Sequence, residues 1–244
     1  MNTVAIIQAR MTSTRLPGKV LRPLAGMAMI DRVIERLRLC RNLHALCVAV
    51  PDGEAQAGLV AHLAARDDIR IARGDEADVL ARTCAAAHDC DARVVVRVTS
   101  DCPFIDPDVV DALVAARTAC AFDYARTAML QGWPLGYDCE AFRIEALEAA
   151  AAEAADPYER EHVTPFIWRR PARFRTLVLD HLPDRRHWRL VVDTEDDYRL
   201  ACRIYDDLAS LGRPFRHDDL VRYLETHPDV LTINRHVRQN PYRW

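Results

Sequence analysis

The 244-residue sequence predicts an α/β fold, a mostly parallel sheet covered by helices on both faces. Three observations lead there. Strand-like and helix-like patterns alternate through the first hundred residues. The strand runs are apolar throughout rather than alternating with polar residues, as strands buried on both faces must be. The length suits a single fairly large domain, 1–244, with a sizeable core.

Each element follows from local pattern. Val4–Gln8 is a β-rich run, and a polar loop continues through Lys19. Ala28–Leu39 has helical spacing that sets Ile30, Val33, Ile34 and Leu37 on one face. Leu46–Val50 reads as a buried strand ended by the turn Pro51-Asp52-Gly53. A helix near Ala55–Ala65, a strand at Ile69–Ala72 and a helix near Val79–His88 come next. Arg93–Thr99 is the clearest central strand, and Asp106-Pro107 opens the following helix as N-cap and first-turn proline. From Phe122 to Pro183 the rhythm breaks into aromatic-rich short strands, an alanine-rich helix (Ile144–Ala155) and the segment DPYEREHVTPFIW. This stretch, 122–183, is expected to be an inserted arm that closes a site or pairs subunits. The α/β pattern resumes with a strand at Trp188–Val192, a helix from Thr194 to about Leu211, a last helix at Asp219–Leu224 and a polar tail ending in Trp244.

Composition narrows the function. The chain carries 33 basic and 36 acidic side chains, a net charge of -3, without the basic surplus of a duplex-wrapping nucleic-acid binder. No apolar stretch approaches the roughly 18 residues of a membrane span. The start, MNTVAIIQARMTSTR, reads as a first strand and not as a signal peptide. Eight cysteines without a C-x-x-C pair speak for reduced thiols in the cytoplasm, against a disulfide scaffold or structural zinc. Of the 33 basic residues only Lys19 is a lysine, and it stands inside RLPGK, where a compact ammonium differs chemically from a guanidinium.

In open α/β sheets ligands bind beyond the carboxyl ends of the strands, so the loops after Gln8 and Thr99 are the places to search. The loop Ala9–Lys19 offers Arg10, Arg15 and Lys19, hydroxyls including Ser13, and a glycine. That is an environment for a polyphosphate, although neither the Walker spacing nor a dinucleotide G-x-G-x-x-G is present, and a solvated basic loop is the plainer alternative. Asp101, in Arg97–Pro103, is a carboxylate at a strand end that suits Mg²⁺ beside phosphates; a turn-forming Asp is its alternative. Asp193 stands at a second strand–helix junction, where it is also a good N-cap. His162 lies in the polar cluster Tyr158–Thr164, a candidate for binding an acidic substrate, forming a subunit contact, or lying on an ordinary polar helix face.

IIQARMTSTRLPGKVLRPLAG resembles the N-terminal signature of the CMP–sugar-acid synthetases, the cytidylyltransferases of N-acylneuraminate and 3-deoxy-manno-octulosonate. The likeness is closest to the branch of spore coat polysaccharide biosynthesis proteins. That branch shows A-R-x-x-S-x-R-L-P-G-K, G-x-x-x-D-V-L-x-R, R-[IV]-T-G-D-C-P, R-E-H-V-T and V-D-T-x-x-D. Here these stand in order at Ala9–Lys19, Gly74–Arg82, Arg97–Pro103, Arg160–Thr164 and Val192–Asp196. Ser100 replaces the usual glycine, and Gly26-Met27-Ala28 the usual G-x-P.

The resemblance implies a Rossmann-like nucleotide-binding sheet of the nucleotide-diphosphosugar transferase type, with a dimerisation arm. It implies a CTP site made by Ala9, Arg10, Ser13, Arg15, Lys19, Asp78, Arg82 and Thr99, with Mg²⁺ on Asp101 and Asp193. Arg15, Lys19 and Asp101 are the expected catalytic residues. Arg160 and His162 are the expected grip on the carboxylate of an acidic sugar, in a cytoplasmic homodimer that binds neither nucleic acid nor membrane. The implied reaction is attack of a sugar oxygen on the α-phosphorus of CTP with loss of pyrophosphate, serving surface polysaccharide. The rival readings are a nucleotide-sugar glycosyltransferase, whose usual D-x-D is missing its second Asp at Ser100–Pro103, and a non-catalytic nucleotide-binding module.

Overall fold

The structure, a computed structural model, describes residues 2–239. The expected βα rhythm is present: β1 (Thr3–Gln8), a small hairpin of β2 (Pro23–Leu24) and β3 (Met27–Ala28), α1 (Met29–Arg38), β4 (Ala45–Pro51), α2 (Ala57–Ala64), β5 (Arg70–Gly74), α3 (Val79–Asp89), β6 (Val94–Thr99) and α4 (Pro107–Ala119). The hairpin was not anticipated; Ala25 (φ 46°) and Gly26 (φ 83°) supply its tight turn. Asp106 caps α4 as expected, its carboxylate accepting from the N–H groups of Asp108 and Val109.

The stretch 122–183 supplies β7 (Tyr124–Thr127), β8 (Glu140–Arg143), α5 (Ile144–Glu153), α6 (Pro157–His162), α7 (Pro165–Trp168) and β9 (Thr176–Leu179). Its strands continue the same sheet, in the order β5-β4-β1-β6-β8-β7-β9. The β5-β4-β1-β6 half is parallel, β8 runs antiparallel to β6 and β7, and β9 returns parallel to β7. The α/β class with a mostly parallel sheet therefore holds. The chain ends in α8 (Glu195–Leu208) and α9 (His217–Thr226); the last residues of the polar tail lie outside those described.

One element differs. Trp188–Val192 is extended but is not a strand of the sheet, because β8 takes the place beside β6. It crosses instead against irregular backbone: Leu135 N–H donates to Trp188 O (3.1 Å), Leu190 N–H to Leu135 O (2.7 Å) and Val192 N–H to Asp101 O (2.8 Å).

Both faces of the sheet are buried. Ala5, Ile7, Val48, Val50, Val96 and Val98 pack in one core with side chains of α1, α4, α8 and α9. Val4, Ile6, Cys47, Ala49 and Val95 pack in the other with α3, α5 and α7. All eight cysteines are free thiols, and among the described residues no helix is long and apolar enough to cross a membrane. This layering leaves the carboxyl ends of β1 and β6 facing one open edge, where the loops after them meet.

Candidate active site

At that edge lies a cavity of about 950 Å³, lined on one side by the loop after β1 and on the other by residues of β7, β8, α6 and α7. The loop rises from Ala9, which is buried and bonded to Ala49 O (3.2 Å), and closes at Gly18, whose left-handed backbone (φ 71°) returns its N–H to Met11 O (2.9 Å). Between these anchors the N–H groups of Arg10, Thr12, Ser13, Thr14 and Arg15 make no hydrogen bond to another described residue. Unpaired N–H groups beside fixed cations are what a phosphate chain binds.

Lys19 sits at the base of this loop, only 6% exposed. Its ammonium spends all its donors inside the protein: Nζ reaches Asp101 Oδ2 (3.0 Å), Asp193 Oδ1 (3.0 Å) and Val192 O (2.8 Å). Burial works against its charge, but Asp101 and Asp193 outweigh that and hold its pKa above the ordinary lysine value. Asp101 is likewise opposed by burial, yet Lys19 and the Thr99 hydroxyl (2.6 Å) keep its carboxyl below the usual range. Asp193 also takes Arg15 Nη2 (2.8 Å) and Arg189 Nη2 (3.4 Å). The two carboxylates proposed from sequence are thus brought together, on the two sides of one ammonium. The Arg15 bridge is open to solvent, with its guanidinium 41% exposed, so it contributes at most about 1 kcal/mol and exchanges readily.

As a metal site, Asp101 and Asp193 present hard oxygen donors side by side. Among the described residues no group of three or more His, Cys, Asp or Glu side chains is placed to hold an ion. That donor set fits a cation completed by substrate phosphates and water, the habit of Mg²⁺, and does not resemble a closed protein cage. Ser100, the departure from glycine, is buried with ordinary negative φ, so its side chain is accommodated without strain.

The remaining expected residues divide. Arg10 lines the cavity and pairs with Glu76 (3.4 Å), which also accepts from Thr12 Oγ1 (2.5 Å). Ser13 and Thr99 line it too. Arg82 lines it at the start of α3; burial and the nearby Arg10 lower its pKa, and its Nε has no hydrogen-bond partner. His162 faces the cavity beside Tyr158 (ring centroids 4.3 Å apart) and is held below the ordinary histidine value by burial, so it offers a neutral imidazole. Asp78 and Arg160 are not brought to the cavity. Arg160 spends its guanidinium on Asp78 Oδ2 (2.9 and 2.5 Å) and on the carbonyls of Ala151 and Ala154, tying the N-cap of α3 to the end of α5.

Two further carboxylates, Asp138 and Glu140, line the cavity and were not singled out from sequence. The signal was the period-two pattern Asp138-Cys139-Glu140-Ala141, which turns the acids to one face and the small residues to the core. Glu140 is saturated by Arg97 Nη1, the Tyr124 hydroxyl and the Thr164 hydroxyl, each at 2.5 Å.

Comparison with known proteins bears on this geometry. The profile of the family described as cytidylyltransferase matches residues 4–200. The chain belongs to the cytidylyltransferase family. It is 34% identical over 236 residues to the spore coat polysaccharide biosynthesis protein SpsF of Bacillus subtilis, covering 93% of this chain and 95% of that one. Among solved structures, a cytidylyltransferase from Leptospira borgpetersenii superposes over 100% of both chains with a TM-score of 0.88 at 25% identity. A CMP:2-keto-3-deoxy-manno-octonic acid synthetase complexed with CTP shares the fold, with a TM-score of 0.63 over 86% of this chain and 99% of that one at 19% identity. The cytidylyltransferase fold therefore extends through the antiparallel β8 and the irregular stretch around it.

Proposed function

We propose that this cytidylyltransferase transfers the cytidylyl group of CTP to an acidic sugar, releasing pyrophosphate, as a step towards surface polysaccharide. The observation that carries the proposal is the convergence of Asp101, Asp193 and Lys19 at the foot of a loop with unpaired N–H groups and two exchangeable arginines. Nucleotidyl transfer asks mainly for positioning and charge neutralisation, and this site is built for both.

Triphosphate oxygens take the loop N–H groups, and Arg10 and Arg15 exchange Glu76 and Asp193 for phosphate. Ser13 and Arg82 flank the same chain, and Lys19 offsets charge developing on the leaving pyrophosphate. Asp101 and Asp193 would hold Mg²⁺, which when bound polarises the α-phosphate and lowers the pKa of the attacking hydroxyl. At the far wall His162 donates to the carboxylate of the sugar acid, near Arg126, whose guanidinium lies over the Trp168 ring (5.1 Å). Arg160 acts from behind, by fixing α3 against α5. The reading extends to a cytoplasmic homodimer within one domain, 1–244, in which the 122–183 stretch both walls the acceptor pocket and meets the second subunit. The place of that stretch in the cavity wall supports its acceptor role, and the names of the relatives support cytidylyl transfer for a polysaccharide.

The test is pyrophosphate release with Mg²⁺ and each of the four nucleoside triphosphates, across a panel of nonulosonic and octulosonic acids. CTP-dependent release with one acid supports the proposal. Release from a nucleotide-sugar donor instead, with no CTP binding, overturns it in favour of glycosyl transfer.

A further inference from the structure

Asp138 is unlike the other enclosed carboxylates of the cavity. Asp101, Asp193 and Glu140 each have a cation within 3.0 Å. Asp138 has, among the described residues, a single hydrogen-bond partner, the N–H of Gly136 to Oδ2 (3.1 Å), and no salt bridge. Its second oxygen is left for whatever occupies the cavity it lines.

Its position follows from the sheet. β6 and β8 are antiparallel with Arg97 opposite Glu140. Asp138 lies two residues before that pair, beyond the end of the ladder, and lines the same cavity as Thr99 and Asp101. Thr99 donates to Asp101. Asp138 and the phosphate-side carboxylate Asp101 thus line one cavity and feel each other's charge, so an acceptor hydroxyl brought to the α-phosphate enters the space they share. The loop before it is pinned on both sides: Leu135 is bonded to the 188–190 segment that leads to Asp193, and Thr127 accepts and donates at Cys139.

We propose that Asp138 is the catalytic base that takes the proton of the acceptor hydroxyl; this rests on the transfer reading above. As the new oxygen–phosphorus bond forms and the bond from the α-phosphorus to the leaving pyrophosphate breaks, the O–H electron pair stays on the attacking oxygen. The proton passes to the free Asp138 oxygen and is released to water after the products leave. Burial pushes the Asp138 carboxyl up to about 6, against the Gly136 N–H and with Glu140 and Asp101 adding to it. Such a group is ionised at neutral pH and still basic enough to accept a proton in the transition state. The charged and titratable groups around it are Arg97, Asp101 and Cys102 from β6 and the turn after it, Glu140 at the start of β8, Arg126 on β7, and the Lys19–Asp193 pair in the same cavity lining.

Asp138→Asn keeps the shape and the acceptor for Gly136. With CTP and an accepted sugar acid, its kcat is expected to fall by about 10²–10³-fold, with KM for CTP within about threefold and the acidic limb of the pH–rate profile gone. Asp138→Ala is expected to regain rate with added formate, which a residue serving only packing does not do. A kcat within about fivefold of wild type in Asp138→Asn, or an acidic limb unchanged in that variant, overturns the assignment while leaving the transfer reading intact. A wild-type chain silent with every nucleotide and acid overturns both.

Discussion

Replacing Lys19 by methionine removes one charge from the middle of the site while keeping most of the side chain's volume. The ammonium now sits 3.0 Å from both Asp101 and Asp193. At an effective dielectric of about 20 each contact is a gross attraction of roughly 5 kcal/mol, most of which offsets the desolvation of the three charges. Without it Asp193 retains Arg15 and Arg189, but among the described residues Asp101 keeps only the Thr99 and Cys102 side chains as side-chain donors. Stripping the partner from a buried charge costs about 3–5 kcal/mol, and the lower end applies here because Asp101 is partly open to the cavity. For a chain of this size about 3 kcal/mol corresponds to a melting temperature lower by roughly 6–12 °C. Millimolar Mg²⁺ should raise the melting temperature of Lys19→Met more than that of wild type, because the two carboxylates no longer share an ammonium. Turnover should fall on the order of 10²–10³-fold from loss of a preorganised charge. Differential scanning calorimetry with and without Mg²⁺, beside pyrophosphate release, reads all three effects. A variant that melts within about 1 °C of wild type and turns over within fivefold refutes the reasoning.

Three more outcomes follow from the same geometry. Gly136→Ala would place a Cβ 2.5 Å from Val191 N and 2.6 Å from Leu190 C, at a φ of +103° that L-residues avoid; a loss of about 2–4 kcal/mol by denaturant titration and a fall in turnover through displacement of Asp193 are expected, and native-like values for both contradict it. Asp138→Asn should stabilise the fold at pH 7–8 by about 1–3 kcal/mol, because the raised carboxyl (about 6) holds its proton more tightly folded than unfolded. Stability in wild type is therefore gained as pH falls through 6 and fully gained below about 4, so the advantage of the variant should vanish there; a constant difference from pH 3 to 8 is incompatible with this. Arg160→Gln loses a half-exposed pair with Asp78 and two carbonyl contacts, for about 1 kcal/mol in melting, with KM for the acceptor unchanged; a tenfold rise in that KM would instead put Arg160 in contact with the sugar.

Much of this site was legible because it lies where local pattern and topology agree. A strand too apolar to be anything but central, Val94–Thr99, leads into the turn that carries Asp101, and the strand before the RLPGK loop lies beside it. The lone lysine drew attention to Lys19, which the structure sets between Asp101 and Asp193. What spacing could not show is that Lys19, Asp101 and Asp193 converge, since that depends on β1 and β6 being neighbours and on the 188–193 segment folding back over them. Trp188–Val192 has the apolar content of a strand but finds its partners in loops. Arg160 shows what a motif leaves unsaid: a charged residue expected at the substrate has its guanidinium on Asp78 and the carbonyls of Ala151 and Ala154, between two helices. Asp138 escaped notice because a four-residue strand beside a broken stretch carries too short an alternation to stand out.

The central claim is transfer at the α-phosphorus, and isotope position tests it most directly. The chain is incubated with Mg²⁺, an accepted sugar acid and CTP labelled with ³²P at either the α- or the γ-position, and the products are separated. The α-label should appear in the sugar adduct and the γ-label in pyrophosphate. Label appearing only as inorganic phosphate, or an adduct carrying the γ-label, would contradict the account.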